Sequence, residues 1–327
     1  MKEGVFIKKI LLSIILIASL FLSSCAPQKA QQISGFYLDT FCEITLYGDD
    51  AKHLSEAMNL IQKYDTSFDP DNETSDIYKI NHSNGNPIKV SKETAELIEI
   101  CLDFKKISHG EYEPTIYGLS SLWKQGAVPD EKALKSALED IKNSEISVTN
   151  GFVTLKGEAK FDPGSSAKGY ISEKIATLLS ELGVKSGIIN LGGNVQLIGS
   201  KENKPYKIAL ESPFDDNSPF VLYAENTSIS TCGTYERFFE ENGKIYHHIL
   251  DVKTGYPKES ELSAVTVIGP SPTEADILST VCFLLGEIDG KALIESLSGY
   301  EAIFISSSKD ITTTSGIEIS ENNFYIK

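Results

Sequence analysis

Two Asn-Gly pairs restrict this chain's fold more than any other feature. Asn150-Gly151 separates Ile146-Ser147-Val148-Thr149 from Phe152-Val153-Thr154-Leu155, and Asn242-Gly243 separates two further short runs. Asn-Gly is the favoured centre of a type I′ turn, whose twist matches neighbouring antiparallel strands. Two-residue turns also fix register. Around the second pair, Arg237 falls opposite His248 and Phe239 opposite Tyr246, and such cross-strand partners share a face. Apolar residues at helical spacing predict helices over 50–64, 130–142, 166–182, 273–285 and 289–297. Another is predicted after Ser91, which caps it. Strands are predicted at 41–47, 187–191, 195–198, 205–210, 219–224, 228–231, 264–268, 302–306 and 323–326. Helices and strands mix without strict βαβ alternation, so the predicted class is α+β: a mixed, largely antiparallel sheet packed with helices.

The N-terminus carries an address. Lys2, Lys8 and Lys9 precede an apolar run from Ile10 to Leu22 that is short for a membrane span. The run ends Leu22-Ser23-Ser24-Cys25, which reads as a lipobox with Cys25 as the lipidated residue. Residues 1–24 are then a lipoprotein signal peptide, 25–34 the lipidated cysteine and a polar tether, and 35–327 the working domain. This places the protein on the extracytoplasmic face of the cell membrane, held by lipid. The net charge of −16 and the lack of a basic stripe exclude nucleic acid as a partner. An anionic ligand would need a locally positive or metal-loaded site. The cysteines other than Cys25 have no metal-type spacing. Cys101 and Cys282 lie in apolar helical patterns and read as buried free thiols.

Four segments carry candidate chemistry, each with a plainer reading beside it. Asp162-Pro163-Gly164-Ser165-Ser166-Ala167-Lys168-Gly169 leads into a helix, whose free N–H groups and positive end suit a phosphate. An ordinary loop-to-helix start explains it as well, and such starts are common. Asn190-Leu191-Gly192-Gly193-Asn194 makes either a tight turn or a close backbone approach. In Tyr246-His247-His248-Ile249-Leu250-Asp251, strand alternation sends the two histidines to opposite faces, so one can join a given site. That one is either a proton acceptor or a strand histidine bonded to backbone. In Thr273-Glu274-Ala275-Asp276-Ile277-Leu278-Ser279-Thr280, Asp276 and Thr280 share a helix face and offer oxygens to a hard cation. Thr273 and Asp276 also match a capping box, and locally that reading prevails. No GxGxxG, Walker A, HExxH or GxSxG pattern is present.

Taken in order, these segments together with Ser230-Thr231-Cys232-Gly233-Thr234-Tyr235-Glu236-Arg237 and Thr254-Gly255-Tyr256-Pro257 resemble the ApbE-type FAD:protein FMN transferases. The resemblance begins at Leu38-Asp39-Thr40 and covers most of the exported chain. It implies a T-fold-related α+β flavin transferase fold with FAD in a cleft. It implies Mg²⁺ as cofactor, FAD as substrate, and transfer of FMN to a Ser or Thr of an acceptor protein with release of AMP. By resemblance the metal ligands are Asp276, Thr280, the carbonyl of Ser165 and Ser279. Leu38, Phe68, Glu111, Tyr112, Glu113, Asp162, Lys168 and Leu250 match FAD-contacting positions, and His248 matches the base. The chain departs from the family pattern at Leu38-Asp39-Thr40 (commonly Met-Gly-Thr), at Glu113 (commonly Asp) and at Val252 (commonly Pro). It also has Thr231-Cys232-Gly233-Thr234-Tyr235 where Thr-Ser-Gly-Asp-Tyr is usual. Losing an acid at Thr234 bears on metal stoichiometry and on one rival function, a FAD pyrophosphatase yielding FMN and AMP. The other rival is a non-enzymatic flavin-binding lipoprotein, for which a lipobox and a cleft would suffice.

Overall fold

Taken in chain order, each strand of the central sheet lies beside the one before it, whether a tight turn or a long insertion joins the two. The structure, a computed structural model, describes residues 29–214, 220–321 and 323–327. Its eight-stranded sheet runs Ala30–Tyr37, Thr40–Tyr47, Gly187–Leu191, Asn194–Ile198, Ser228–Gly233, Leu262–Gly269, Glu301–Ser306 and Ile311–Thr313. Every neighbouring pair in it is antiparallel. A second, four-stranded sheet contains one parallel pairing, between Asn323–Ile326 and Phe220–Ala224. The fold class is therefore the expected α+β with a mixed, largely antiparallel sheet.

The central sheet is buried on both faces. Ile44, Ile189, Val265 and Val267 face the helices Leu54–Phe68, Ala167–Glu181 and Pro272–Leu285. Leu197, Ile229, Ile268 and Ile303 face the four-stranded sheet through Leu210, Leu222 and Phe324. Strands covered on both faces read as apolar runs rather than alternations, which is why Leu262–Gly269 shows almost unbroken burial. A third cluster joins Leu119, Trp123, Leu134 and Leu250 at one end.

Both Asn-Gly turns form. Asn150 and Gly151 have φ of 53° and 74°, and Asn242 and Gly243 of 52° and 78°. Phe239 pairs with Tyr246, and the His248 N–H donates to the Arg237 carbonyl, in the expected register. Ser91 caps the Lys92–Ile107 helix by accepting from the Thr94 N–H. All four cysteines among the described residues (Cys42, Cys101, Cys232 and Cys282) are buried free thiols.

The tether is corrected at its end. Residues 30–34 are the start of an edge strand, with Ile33 opposite Ile44 and Gln31 opposite Leu46. An edge strand holds through its backbone ladder, so polar exposed side chains conceal it. The signal segment and Cys25 lie outside the described residues. Among those described, no helix is long and apolar enough to cross a membrane.

Candidate functional site

A cleft of about 710 Å³ opens beside the Ala167–Glu181 and Pro272–Leu285 helices, the 38–39 turn, the 111–113 segment and the Phe238–His247 hairpin. Every site residue implied by resemblance within the described chain lines it: Leu38, Phe68, Glu111, Tyr112, Glu113, Asp162, Ser165, Lys168, His248, Leu250, Asp276, Ser279 and Thr280.

Asp276 is the centre of the arrangement. Its helix is apolar nearly all round and buried. The capping-box reading is overturned, because Ser271 caps this helix by accepting from the Glu274 N–H at 3.2 Å. The Thr273 hydroxyl instead donates to Glu173 at 2.6 Å. Asp276, 5% exposed, faces the cleft. Its Oδ2 accepts from the Gly169 N–H at 2.8 Å and its Oδ1 from the Ser230 hydroxyl at 2.9 Å. Gly169 is the third residue of a helix with Ser166 at its N-cap, whose first internal bond runs from the Tyr170 N–H to the Ser166 carbonyl. Its own N–H is therefore one of the donors that a helix start leaves without an internal partner. Asp276 satisfies that donor, and the Ser165 carbonyl, one residue before the cap, accepts no hydrogen bond from the described residues. Burial raises the Asp276 pKa, while the Lys168 ammonium, the Gly169 N–H, Ser230 and the Asn194 amide pull it back.

This oxygen set suits a hard cation. Each carboxylate oxygen of Asp276 keeps a second lone pair, the Ser165 carbonyl accepts no bond from the described residues, and the Thr280 hydroxyl lines the same cleft. Ser279 is less free, since its hydroxyl donates to the Asp276 backbone carbonyl at 2.8 Å. Among the described residues no three His, Cys, Asp or Glu side chains converge. A cation here would rest on one carboxylate and neutral oxygens, a set suited to Mg²⁺, which keeps several waters.

The remaining walls are organised around Lys168. Its Nζ reaches the Gly192 carbonyl at 3.5 Å. The double glycine is thus both a turn and a close backbone approach. Gly192 and Gly193 have φ of 58° and 89°, and a Cβ on Gly192 would strike Thr40 at 2.3 Å. Asp162 accepts from Gly164 N–H at 2.9 Å and from the Ser120 hydroxyl at 2.6 Å, closing the loop ahead of the helix. The Tyr112 hydroxyl pairs with Ser165 Oγ at 3.0 Å. Glu113 is held by Lys105 at 2.6 Å and by Thr115. Glu111 pairs with Lys253 and Lys258 across the rim. Leu38 sits at φ 56°, a conformation that costs a non-glycine residue about 1–2 kcal/mol, with its N–H donating to Asp65 at 2.8 Å. Phe68 stacks on Tyr64 inside the wall, and Leu250 is buried at the Trp123 end.

Both histidines line the cleft, against the strict alternation expected, because the strand ends at His247. His247 packs edge-on against Phe283. His248 Nδ1 lies 3.3 Å from the Arg237 carbonyl. That oxygen can only accept, so the bond needs the proton on Nδ1 and leaves Nε2 with its lone pair. Desolvation, with the Arg237 charge, lowers the His248 pKa to about 4. Sequence reasoning missed Glu236 as a cleft group. Desolvation pushes its carboxyl up to about 7, against the pull of Lys168. Thr234, by contrast, turns away and bonds the Ser263 carbonyl. Nothing local marks Glu236, because its place depends on where the 234–237 turn lands.

A family model described as the ApbE family matches residues 38–304. Among curated proteins, the FAD:protein FMN transferase of Klebsiella pneumoniae (strain 342) is 32% identical over 283 residues, covering 83% of this chain and 88% of its own. That of Treponema pallidum (strain Nichols) is 28% identical over 309 residues, covering 86% and 85%. Among solved structures, the ApbE protein of Thermotoga maritima superimposes with a TM-score of 0.79 at 27% identity, covering 88% of this chain and 97% of its own. The flavin transferase ApbE of Vibrio cholerae gives a TM-score of 0.79 at 22% identity, over 88% and 98%, a likeness of fold.

Proposed function

The chain belongs to the ApbE family, and from that premise we propose that it is a Mg²⁺-dependent FAD:protein FMN transferase. The observation that carries this reading is the oxygen set lining the cleft: the buried Asp276 carboxylate, tied to the neighbouring helix start through the Gly169 N–H, with the Ser165 carbonyl, which accepts no bond from the described residues, and the Thr280 hydroxyl. Asp276, the Ser165 carbonyl and Thr280 would hold the ion, with Ser279 nearby. Bound there, Mg²⁺ supplies charge neutralisation to a pyrophosphate as its P–O bond breaks.

The chain's own residues do the rest. Lys168, fixed by the Gly192 carbonyl, offsets phosphate charge at the helix start. His248 Nε2 accepts the proton of a Ser or Thr hydroxyl on the acceptor protein. That oxygen bonds to the FMN phosphorus, the pyrophosphate bridge breaks, and AMP leaves. Leu38, Phe68, Glu111, Tyr112, Glu113, Asp162 and Leu250 shape the cleft around FAD. Lys2, Lys8, Lys9 and the Leu22-Ser23-Ser24-Cys25 run support lipidation at Cys25 and anchoring on the extracytoplasmic membrane face. Cys25→Ser should move the protein from the membrane to the soluble fraction; retention would refute the anchor.

The test incubates the protein with FAD, Mg²⁺ and an acceptor protein, then seeks a flavin-fluorescent band on a denaturing gel. We expect a band that chelator and Asp276→Ala both abolish. Full labelling by Asp276→Ala would sink the metal assignment. Free FMN plus AMP without a band would instead make the protein a FAD pyrophosphatase, and intact FAD retained in Mg²⁺ a flavin binder.

A further inference from the structure

Asn194 opens the Asn194–Ile198 strand, immediately after the Gly192-Gly193 turn that receives Lys168. It is 1% exposed. Both its Oδ1 and its Nδ2 are buried without a hydrogen-bond partner among the described residues. Buried amides are ordinarily paired, because an unpaired one forfeits its hydration for nothing. The neighbouring strand places Ile229 opposite Val195, so Ser230 lies next to Asn194, and Ser230 already donates to Asp276 Oδ1. The Asn194 amide is also among the groups that hold Asp276 in its charged form. The amide thus stands beside the carboxylate at the margin of hydrogen-bond reach: it lowers the carboxyl pKa as a donor does, yet makes no bond of ordinary geometry.

We propose that Asn194 is a positioning residue for Asp276, its amide kept free beside the carboxylate so that it bonds Asp276 once a divalent cation draws that side chain into coordinating geometry. The inference rests on the metal reading given above. A purely structural asparagine would already be paired with backbone. An amide with nothing to do would be replaced at no loss by leucine, which has nearly the same shape and no polar atoms. A positioning amide makes the opposite forecast for the two properties. Removing it relieves an unpaired group in the cation-free protein and weakens the hold on the cation, as loss of an outer-shell partner does elsewhere.

The experiment compares wild type with Asn194→Leu, and with Asn194→Ala in case leucine does not fit. Mn²⁺ alone is titrated into cation-free protein, with free ion followed by electron paramagnetic resonance. The melting temperature of the cation-free protein is recorded alongside. We expect the variants to melt at or above wild type, or within a few degrees below it for alanine, and to bind Mn²⁺ roughly 10- to 100-fold more weakly. Unchanged affinity in either folded variant overturns the role of Asn194 and leaves the metal site standing. Loss of affinity together with a large drop in melting temperature in both variants overturns it in favour of a structural role. Wild type that binds no Mn²⁺ fails earlier, at the metal reading itself.

Discussion

Gly169→Ala separates two physical effects of opposite sign. Residue 169 lies in the first turn of the Ala167–Glu181 helix. Helix propensity alone would reward alanine there by about 1 kcal/mol. The packing forbids it: a Cβ would lie 2.3 Å from the Pro272 carbonyl oxygen and 2.6 Å from Asp276 Cβ, where ordinary contact begins at 3.4 Å. The two helices would have to part by about 1 Å. Carried through to the Gly169 N–H, that shift lengthens its 2.8 Å bond to Asp276 to about 3.8 Å, beyond hydrogen-bond range. Overpacking costs about 1–3 kcal/mol, and a charged acceptor losing its donor adds about 1.5–3 kcal/mol. Set against propensity, the net loss is about 2–5 kcal/mol, or roughly 4–15 °C in melting temperature. Thermal unfolding and Mn²⁺ titration of the same samples are the assay, with a lower melting temperature and weaker binding expected. A variant that melts at or above wild type and binds the ion equally would refute the claim that glycine at 169 creates the site.

Two titrating groups at the cleft mouth should give opposite pH slopes. His248, depressed from 6.5 to about 4, costs the fold stability as pH falls through that window. Glu236, raised from 4.5 to about 7, contributes stability at low pH that is lost as pH rises through that window. Both side chains reach solvent, which mutes the size of each effect. Denaturation curves at pH 5 and 7 should therefore show His248→Gln gaining mainly at pH 5 and Glu236→Gln mainly at pH 7; the reverse order would exclude these causes. Lys105→Met leaves the Glu113 carboxylate, 6% exposed, with only the Thr115 donors. Because Lys105 is itself 37% exposed, the loss should be about 1–3 kcal/mol by urea unfolding rather than that of a fully buried pair.

The elements that local chemistry dictates were legible to within a residue or two. The Asn-Gly hairpins, the Ser91 cap and the 131–142 and 167–181 helices need only short-range rules. Asp276 was not legible locally. Thr273 and Asp276 satisfy a capping box on paper, but so do Ser271 and Glu274 with Pro272 at the first helical position, and it is Ser271 that caps the helix. That Asp276 then meets Gly169 is a tertiary fact no local pattern carries. The same holds for His247 and His248, whose alternation fails where the strand stops. Short elements such as Asp76–Asn81, Tyr117–Trp123 and Ile311–Thr313 hold too few residues to show a period. The order of the motifs along the chain gave the site what no single motif did. Asn194, Ser230 and Gly169 stayed hidden because what they share is one carboxylate more than 40 positions away in sequence.

The electrostatics of the cleft explain why such a protein would need a cation at all. The chain carries a net charge of −16, and many acids surround the opening. Most are turned into the walls. Asp65 takes the Leu38 N–H, Asp71 the Tyr117 hydroxyl, Asp162 the Gly164 N–H and Ser120, Glu113 its lysine and threonine, and Glu111 two lysines. Each of these bonds draws charge out of the cleft and stiffens a wall. Asp276 differs, because its donors leave lone pairs free on the cleft side. Lys168 is the ammonium held closest to it, and one ammonium does not balance a buried carboxylate and an incoming pyrophosphate together. A divalent ion on Asp276 would, and cation and anionic substrate would then depend on each other in binding rather than occupy one cleft independently.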